Sequence, residues 1–172
     1  MTRAETIALL DRIAARLPDG ALRTAFIVGH PGETEAHFRE LLDFVKEGRF
    51  THAGVFTYSP EPGTPAARLA DDVPPAEKED RRRELMLAQL EVSRRRLARR
   101  VGRTETVMLD GFVEKGAEVP PGVVAFGRTR LEAPEVDGVV LLHGSELRKQ
   151  PLGTRLNAKI VESLDYDLIA ET

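Results

Sequence analysis

Only two stretches in the first hundred residues read as strands of a parallel sheet, Leu22–Val28 and Ala53–Tyr58, and two strands do not make a sheet that stands alone. Each follows a helix signal. Thr2-Arg3-Ala4-Glu5 has the S/T-x-x-E form of a capping box, and Ile7, Leu10, Ile13, Ala14 and Leu17 then recur at helical spacing until Pro18-Asp19-Gly20. After the first strand, Gly29-His30-Pro31-Gly32 makes a tight turn and Thr34 is placed to cap a second helix. Phe38, Leu41, Leu42 and Val45 form the apolar stripe of that helix, which stops at Gly48. Helix, strand, helix, strand is the repeat of an α/β barrel or doubly wound sheet.

Both strands look apolar on both faces, so an exposed apolar edge is expected along Phe26–Val28 or Val55–Tyr58 unless another domain or chain covers it. The simplest explanation is a piece of a larger sheet. Ser59–Pro75, with five prolines, closes the unit as an irregular excursion. A long helix then opens at Pro75 or Ala76 and runs to about Arg100. Past Val101-Gly102 the periodicity changes to two, with strands expected near Glu105–Asp110, Val123–Arg128, Val139–Leu142, Arg155–Val161 and Asp167–Ala170. Five short strands suit a small OB-like barrel. The expected organisation is therefore 1–75, 76–100 and 101–172.

Charge is distributed unevenly along the chain. Nine arginines between Arg81 and Arg103 meet only Glu84 and Glu91, giving +7, whereas 104–172 carries −5. The arginine run reads either as a solvated helix face or as a contact for ribosomal RNA. With no cysteine in 172 residues, disulfides, thiolate metal sites and cysteine nucleophiles are all excluded from this chain. The four histidines, at 30, 37, 52 and 143, do not form a ligand set by spacing. Neither a basic leader with an apolar stretch nor a membrane-length apolar run occurs in the sequence, so a cytoplasmic, membrane-free protein is expected.

Several spaced motifs carry a family resemblance. Arg23–Thr34, then Gly54-Val55-Phe56-Thr57-Tyr58-Ser59-Pro60-Glu61-Pro62-Gly63-Thr64-Pro65-Ala66, then Val73-Pro74 with Lys78 and Arg81–Arg83, resemble the C-terminal part of bacterial radical S-adenosylmethionine methylthiotransferases. Val101-Gly102-Arg103-Thr104, Ala133–Val140 and Asp165-Tyr166-Asp167-Leu168 resemble TRAM-domain signatures of the RimO type in that family. The fold this resemblance implies is the C-terminal αβαβ portion of a radical-SAM barrel, then a long helix, then a TRAM barrel. It further implies S-adenosylmethionine and 4Fe-4S clusters in the intact family protein. The cluster-binding cysteines of the family lie upstream of the matched motifs, so a truncated or fragmentary chain, inactive alone, is expected.

In radical-SAM relatives this part of the barrel contacts S-adenosylmethionine, so the resemblance implies that role for Ile27, Gly29, Phe56 and Tyr58; independently, both motifs sit at the C-terminal ends of predicted parallel strands, where α/β folds bind ligands. Read for structure alone, Ile27 and Phe56 are core residues and the glycines shape turns. No residue is a credible catalytic acid or base, and none is a metal ligand. His30 stands where the family usually carries Phe. For the acceptor, the acidic 104–172 segment suits a basic small-subunit ribosomal protein better than transfer RNA, the acceptor of the MiaB-type relatives. Asp137, Asp165 and Asp167 are the candidate substrate contacts, or else turn and surface charges. A non-enzymatic binding module is the remaining alternative.

Overall fold

The computed structural model describes residues 2–172. It divides into two compact units, one up to Val92 and one from Ser93 to Thr172.

In the first unit, α1 (Arg3–Arg16) opens on the expected capping box: the Thr2 hydroxyl accepts the Glu5 N–H and the Glu5 carboxylate accepts the Thr2 N–H at 2.7 Å. A second box starts α2 (Glu35–Lys46), where Thr34 accepts from the His37 backbone and His37 Nδ1 accepts the Thr34 N–H. Between and after them run β1 (Arg23–Val28) and β2 (His52–Thr57), paired in parallel with Phe26 opposite Val55 and Ile27 opposite Phe56. A 3-10 turn at Ala66–Arg68 interrupts the proline-rich stretch before α3 (Pro75–Ala98).

One face of the β1–β2 pair is covered. Val28 and Val55 pack with Phe38, Leu42 and Val45 of α2 and with Leu85 and Ala88 of α3, and Phe26 adjoins them. Paired residues point to the same side of a sheet and alternate along it, so Ile27 and Phe56 share the opposite face. There they are 58% and 60% exposed. Of the runs Phe26–Val28 and Val55–Tyr58, where apolar exposure is expected, Ile27 and Phe56 are the exposed members, because helices cover only the other face of this two-stranded sheet.

The second unit contains the last turns of α3 and five strands: β3 (Thr104–Phe112), β4 (Val123–Arg128), β5 (Val140–His143), β6 (Arg155–Ser163) and β7 (Leu168–Glu171). They close into a barrel in the order β3-β4-β5-β7-β6, antiparallel except for β5 against β7. Inward residues at period two, among them Val107, Leu109, Ala125, Val140, Leu142, Ala158 and Ile160, fill it, and Leu97 of α3 packs against this core. Register breaks near Gly111, Val124 and Val161 supply the local bends that closure of so small a barrel demands. Among the described residues, no helix is long and apolar enough to cross a membrane.

Candidate functional site

At the C-terminal ends of β1 and β2, the Gly29–Gly32 turn is held by two buried cations from α3. Lys78 is 5% and Arg81 4% exposed. Lys78 donates to both Asp71 carboxylate oxygens at 2.6 and 2.7 Å and lies 5.1 Å from the Tyr58 ring centroid. Its aliphatic stem crosses Gly29 so closely that a Cβ there would come within 2.3 Å of Lys78 Cγ. Gly29 also has φ +73°, a conformation that glycine adopts without strain. Arg81 donates to the Glu33 carboxylate at 2.7 Å and to the Glu33 carbonyl at 3.1 Å, and also pairs with Glu77. The same Glu33 oxygen accepts the Gly29 N–H at 2.9 Å, while Asp72 accepts the Gly32 N–H at 2.8 Å. Buried ion pairs gain little net stability but lose much when one partner goes, so this network fixes the turn geometrically.

Of the four candidate cofactor contacts, Ile27 and Phe56 stand side by side on the bare sheet face, next to Ala25 and Gly54. That is an apolar wall open to a ligand. Gly29 is turned toward Lys78, and its N–H is already donated to Glu33. Tyr58 lies between Lys78 and His30, with the His30 ring edge-on at 5.2 Å, and its hydroxyl is buried with no hydrogen-bond partner among the described residues. Both therefore shape the strand ends. Sequence reasoning missed Asp71, Asp72 and Glu33; the only signal was the placement of Lys78 and Arg81 one helical turn apart at the start of α3.

The chain does not fit an iron–sulfur cluster. It has no cysteine, and among the described residues no three His, Cys, Asp or Glu side chains converge on one point.

In the second unit the three candidate acids organise turns. Asp137 Oδ2 accepts the Ala133 N–H at 2.7 Å, and Asp167 Oδ1 accepts the Val139 N–H at 2.7 Å. Asp165 pairs with Arg94 at 2.8 Å, and its carbonyl accepts the Ser93 hydroxyl. The arginine run is likewise engaged. Arg82 pairs with Glu79 and Arg83 with Asp80, acids just ahead of the run. Arg100, 8% exposed, donates to both Glu105 oxygens at 3.0 and 2.7 Å, to Thr129 Oγ1 at 3.0 Å, and to Glu132. Burial opposes its charge, but hydrogen bonds to Glu105 and Glu132 outweigh this and raise its pKa above the usual arginine value. Arg96 goes the other way, lowered by burial and by the neighbouring Arg99. Paired and buried arginines of this kind give the alternative of a ribosomal RNA contact no support.

Residues 101–172 match the family model of the TRAM domain. The chain is 44% identical over 163 residues to the ribosomal protein uS12 methylthiotransferase RimO of Syntrophotalea carbinolica, covering 95% of this chain and 34% of that protein. The RimO of Aquifex aeolicus is 42% identical over 160 residues, covering 93% and 35%, and that of Alkalilimnicola ehrlichii 50% over 142 residues, covering 81% and 30%. The chain spans about a third of the length of these relatives. By sequence it is therefore similar over nearly all its length to a segment of the RimO methylthiotransferases, with residues 101–172 matching the TRAM-domain model.

Proposed function

We propose that this chain is the C-terminal portion of a radical-SAM methylthiotransferase of the RimO type, which transfers a methylthio group to an aspartate of the small-subunit ribosomal protein uS12. The observation that carries the reading is the bare face of β1–β2, where Ile27 and Phe56 stand exposed beside each other at the ligand-binding ends of two parallel strands. Such a face is incomplete by itself and fits the inner wall of a larger barrel whose remaining strands come from residues outside this chain.

S-adenosylmethionine supplies radical hydrogen abstraction to enzymes of this kind. Here Phe56 and Ile27 give its adenine an apolar, water-excluding surface, and Gly29 and Tyr58 set the turn above it. Lys78 and Arg81 hold that turn in place through Asp71 and Glu33. Cluster ligands belong to another part of the protein. The TRAM barrel, with its acids at Asp137, Asp165 and Asp167, faces a basic protein; its charge of −5 over 104–172 disfavours transfer RNA. A ribosomal acceptor also sets the reaction in the cytoplasm.

The test is a chimera in which these residues replace the matching third of Aquifex aeolicus RimO, with S-adenosylmethionine binding followed by equilibrium dialysis. Losing a base–aromatic contact is worth about 1–3 kcal/mol, so Phe56→Ala is expected to weaken binding roughly 5- to 150-fold. Unchanged affinity in both Phe56→Ala and Ile27→Ala variants would overturn the assignment of this face.

A further inference from the structure

The turn at the ends of β1 and β2 is rich in polar groups, and nearly all of them are committed to one another. Lys78 is paired with Asp71, and Arg81 with Glu33 and Glu77. The Asp72 carboxylate accepts the Gly32 N–H, and Glu33 accepts that of Gly29. The Tyr58 hydroxyl is buried. His30 differs. It is exposed, its ring stands edge-on to Tyr58 at 5.2 Å, and Nδ1 lies 3.0 Å from the Pro31 carbonyl oxygen.

A carbonyl oxygen only accepts, so this bond places a hydrogen on Nδ1. In the neutral ring that makes Nε2 the acceptor, and Nε2 has no partner among the described residues. The Tyr58 hydroxyl does not fill the vacancy, since it too is without a partner. Contacts with Pro31 and Tyr58 fix the ring, so Nε2 is an oriented lone pair at the ligand-binding end of β1.

We infer that His30 Nε2 accepts a hydrogen bond from an N–H donor of the ligand on this face; the inference rests on the proposed reading that the face takes S-adenosylmethionine, and adds a polar contact to its apolar wall. A strand rises about 3.3 Å per residue, so His30 lies no more than about 10 Å beyond Ile27 along the chain. A nucleoside resting on Ile27 and Phe56 and carrying an amino-acid chain spans that distance. S-adenosylmethionine has two N–H donors, the adenine amine and the methionine ammonium, and Nε2 suits either. Its sulfonium and ammonium make the ligand's reacting end cationic, so an uncharged acceptor is favoured there. The two buried cations beside the turn, Lys78 and Arg81, are masked by their acids.

S-adenosylmethionine is the probe, measured by equilibrium dialysis on the Aquifex aeolicus RimO chimera with His30 intact and with His30→Phe or His30→Gln. Phenylalanine keeps a ring against Tyr58 and removes both nitrogens, whereas glutamine keeps an acceptor at similar reach. His30→Phe is expected to bind about three- to tenfold more weakly, the effect of one lost hydrogen bond, and His30→Gln within about twofold of the parent. Two analogues locate the donor, one with oxygen in place of the adenine amine and one lacking the methionine amino group. The analogue without the bonded donor is expected to bind the parent and His30→Phe equally. Equal affinity of the parent and His30→Phe for S-adenosylmethionine overturns the inference. So does a loss that persists with both analogues, or a His30→Gln loss as large as that of His30→Phe. A parent chimera that does not bind S-adenosylmethionine sinks the assignment of the face itself, whereas one that binds it with His30 indifferent sinks this inference alone.

Discussion

Replacing Arg100 with methionine removes the cation from a site where two carboxylates depend on it. Glu132 is as buried as Arg100 itself, and Glu105 is mostly buried. Breaking a buried pair by deleting one partner costs about 3–5 kcal/mol, and the partial solvation of Glu105 favours the lower end. In a unit of 93–172, each kcal/mol lowers the melting temperature by roughly 4–8 °C, so Arg100→Met is expected to lower it by about 12–24 °C. The assay is thermal denaturation of the full chain followed through the amide signals of Val107 and Ile160, which report on the barrel core. The Arg100→Met/Glu105→Gln/Glu132→Gln triple variant removes the stranded charges and is expected to recover more than half of the loss. A single-variant shift below about 4 °C, or a triple variant no better than the single, refutes the claim that Arg100 stabilises chiefly by neutralising buried acids.

Further outcomes follow from the same structure. Gly29→Ala combines a left-handed φ with a collision against the Lys78 stem, and is expected to destabilise the first unit by about 2 kcal/mol or more in urea titration. Adding Lys78→Ala relieves the collision but not the backbone strain, so it does not restore stability. Leu109→Ala empties a fully buried barrel position and is expected to cost about 2–5 kcal/mol by the same measurement. The Ile27→Ser/Phe56→Ser variant, which makes the bare sheet face polar, is expected to lower binding of an apolar fluorescent dye and concentration-dependent association of the chain; unchanged dye binding would mean that this face is covered.

The barrel strands were readable from the sequence because inward residues recur at period two, as in Val107 and Leu109 or Ala158 and Ile160, with glycines and prolines between runs. Observed bounds differ from the expected ones by a residue or two at the ends. The Thr2–Glu5 capping box and the Thr34 cap were legible in the same way, since each acts within one turn, but His37 as the reciprocal partner of Thr34 was not, because it is not the Glu or Gln of the usual box. The first sheet was harder. Ala25-Phe26-Ile27-Val28 has the composition of a doubly buried strand, and nothing local states that Ile27 and Phe56 find no cover; α2 and α3 pack only on the other face. The arginine run misled for a related reason. Arg81 and Arg100 read as solvated charges, but their partners Glu33 and Glu132 lie 48 and 32 positions away, beyond any local pattern. Glu79 and Asp80, which pair with Arg82 and Arg83, lie just ahead of Arg81, where the arginine run begins.

The most direct measurement is mass spectrometry of uS12 and of transfer RNA after incubation with the chimera, charged with its clusters and S-adenosylmethionine. A RimO-type C-terminal portion is expected to yield uS12 bearing one methylthio group on an aspartate, with transfer RNA unchanged. A folded, cofactor-loaded chimera that leaves uS12 untouched, or that thiolates transfer RNA in its place, contradicts the proposed function.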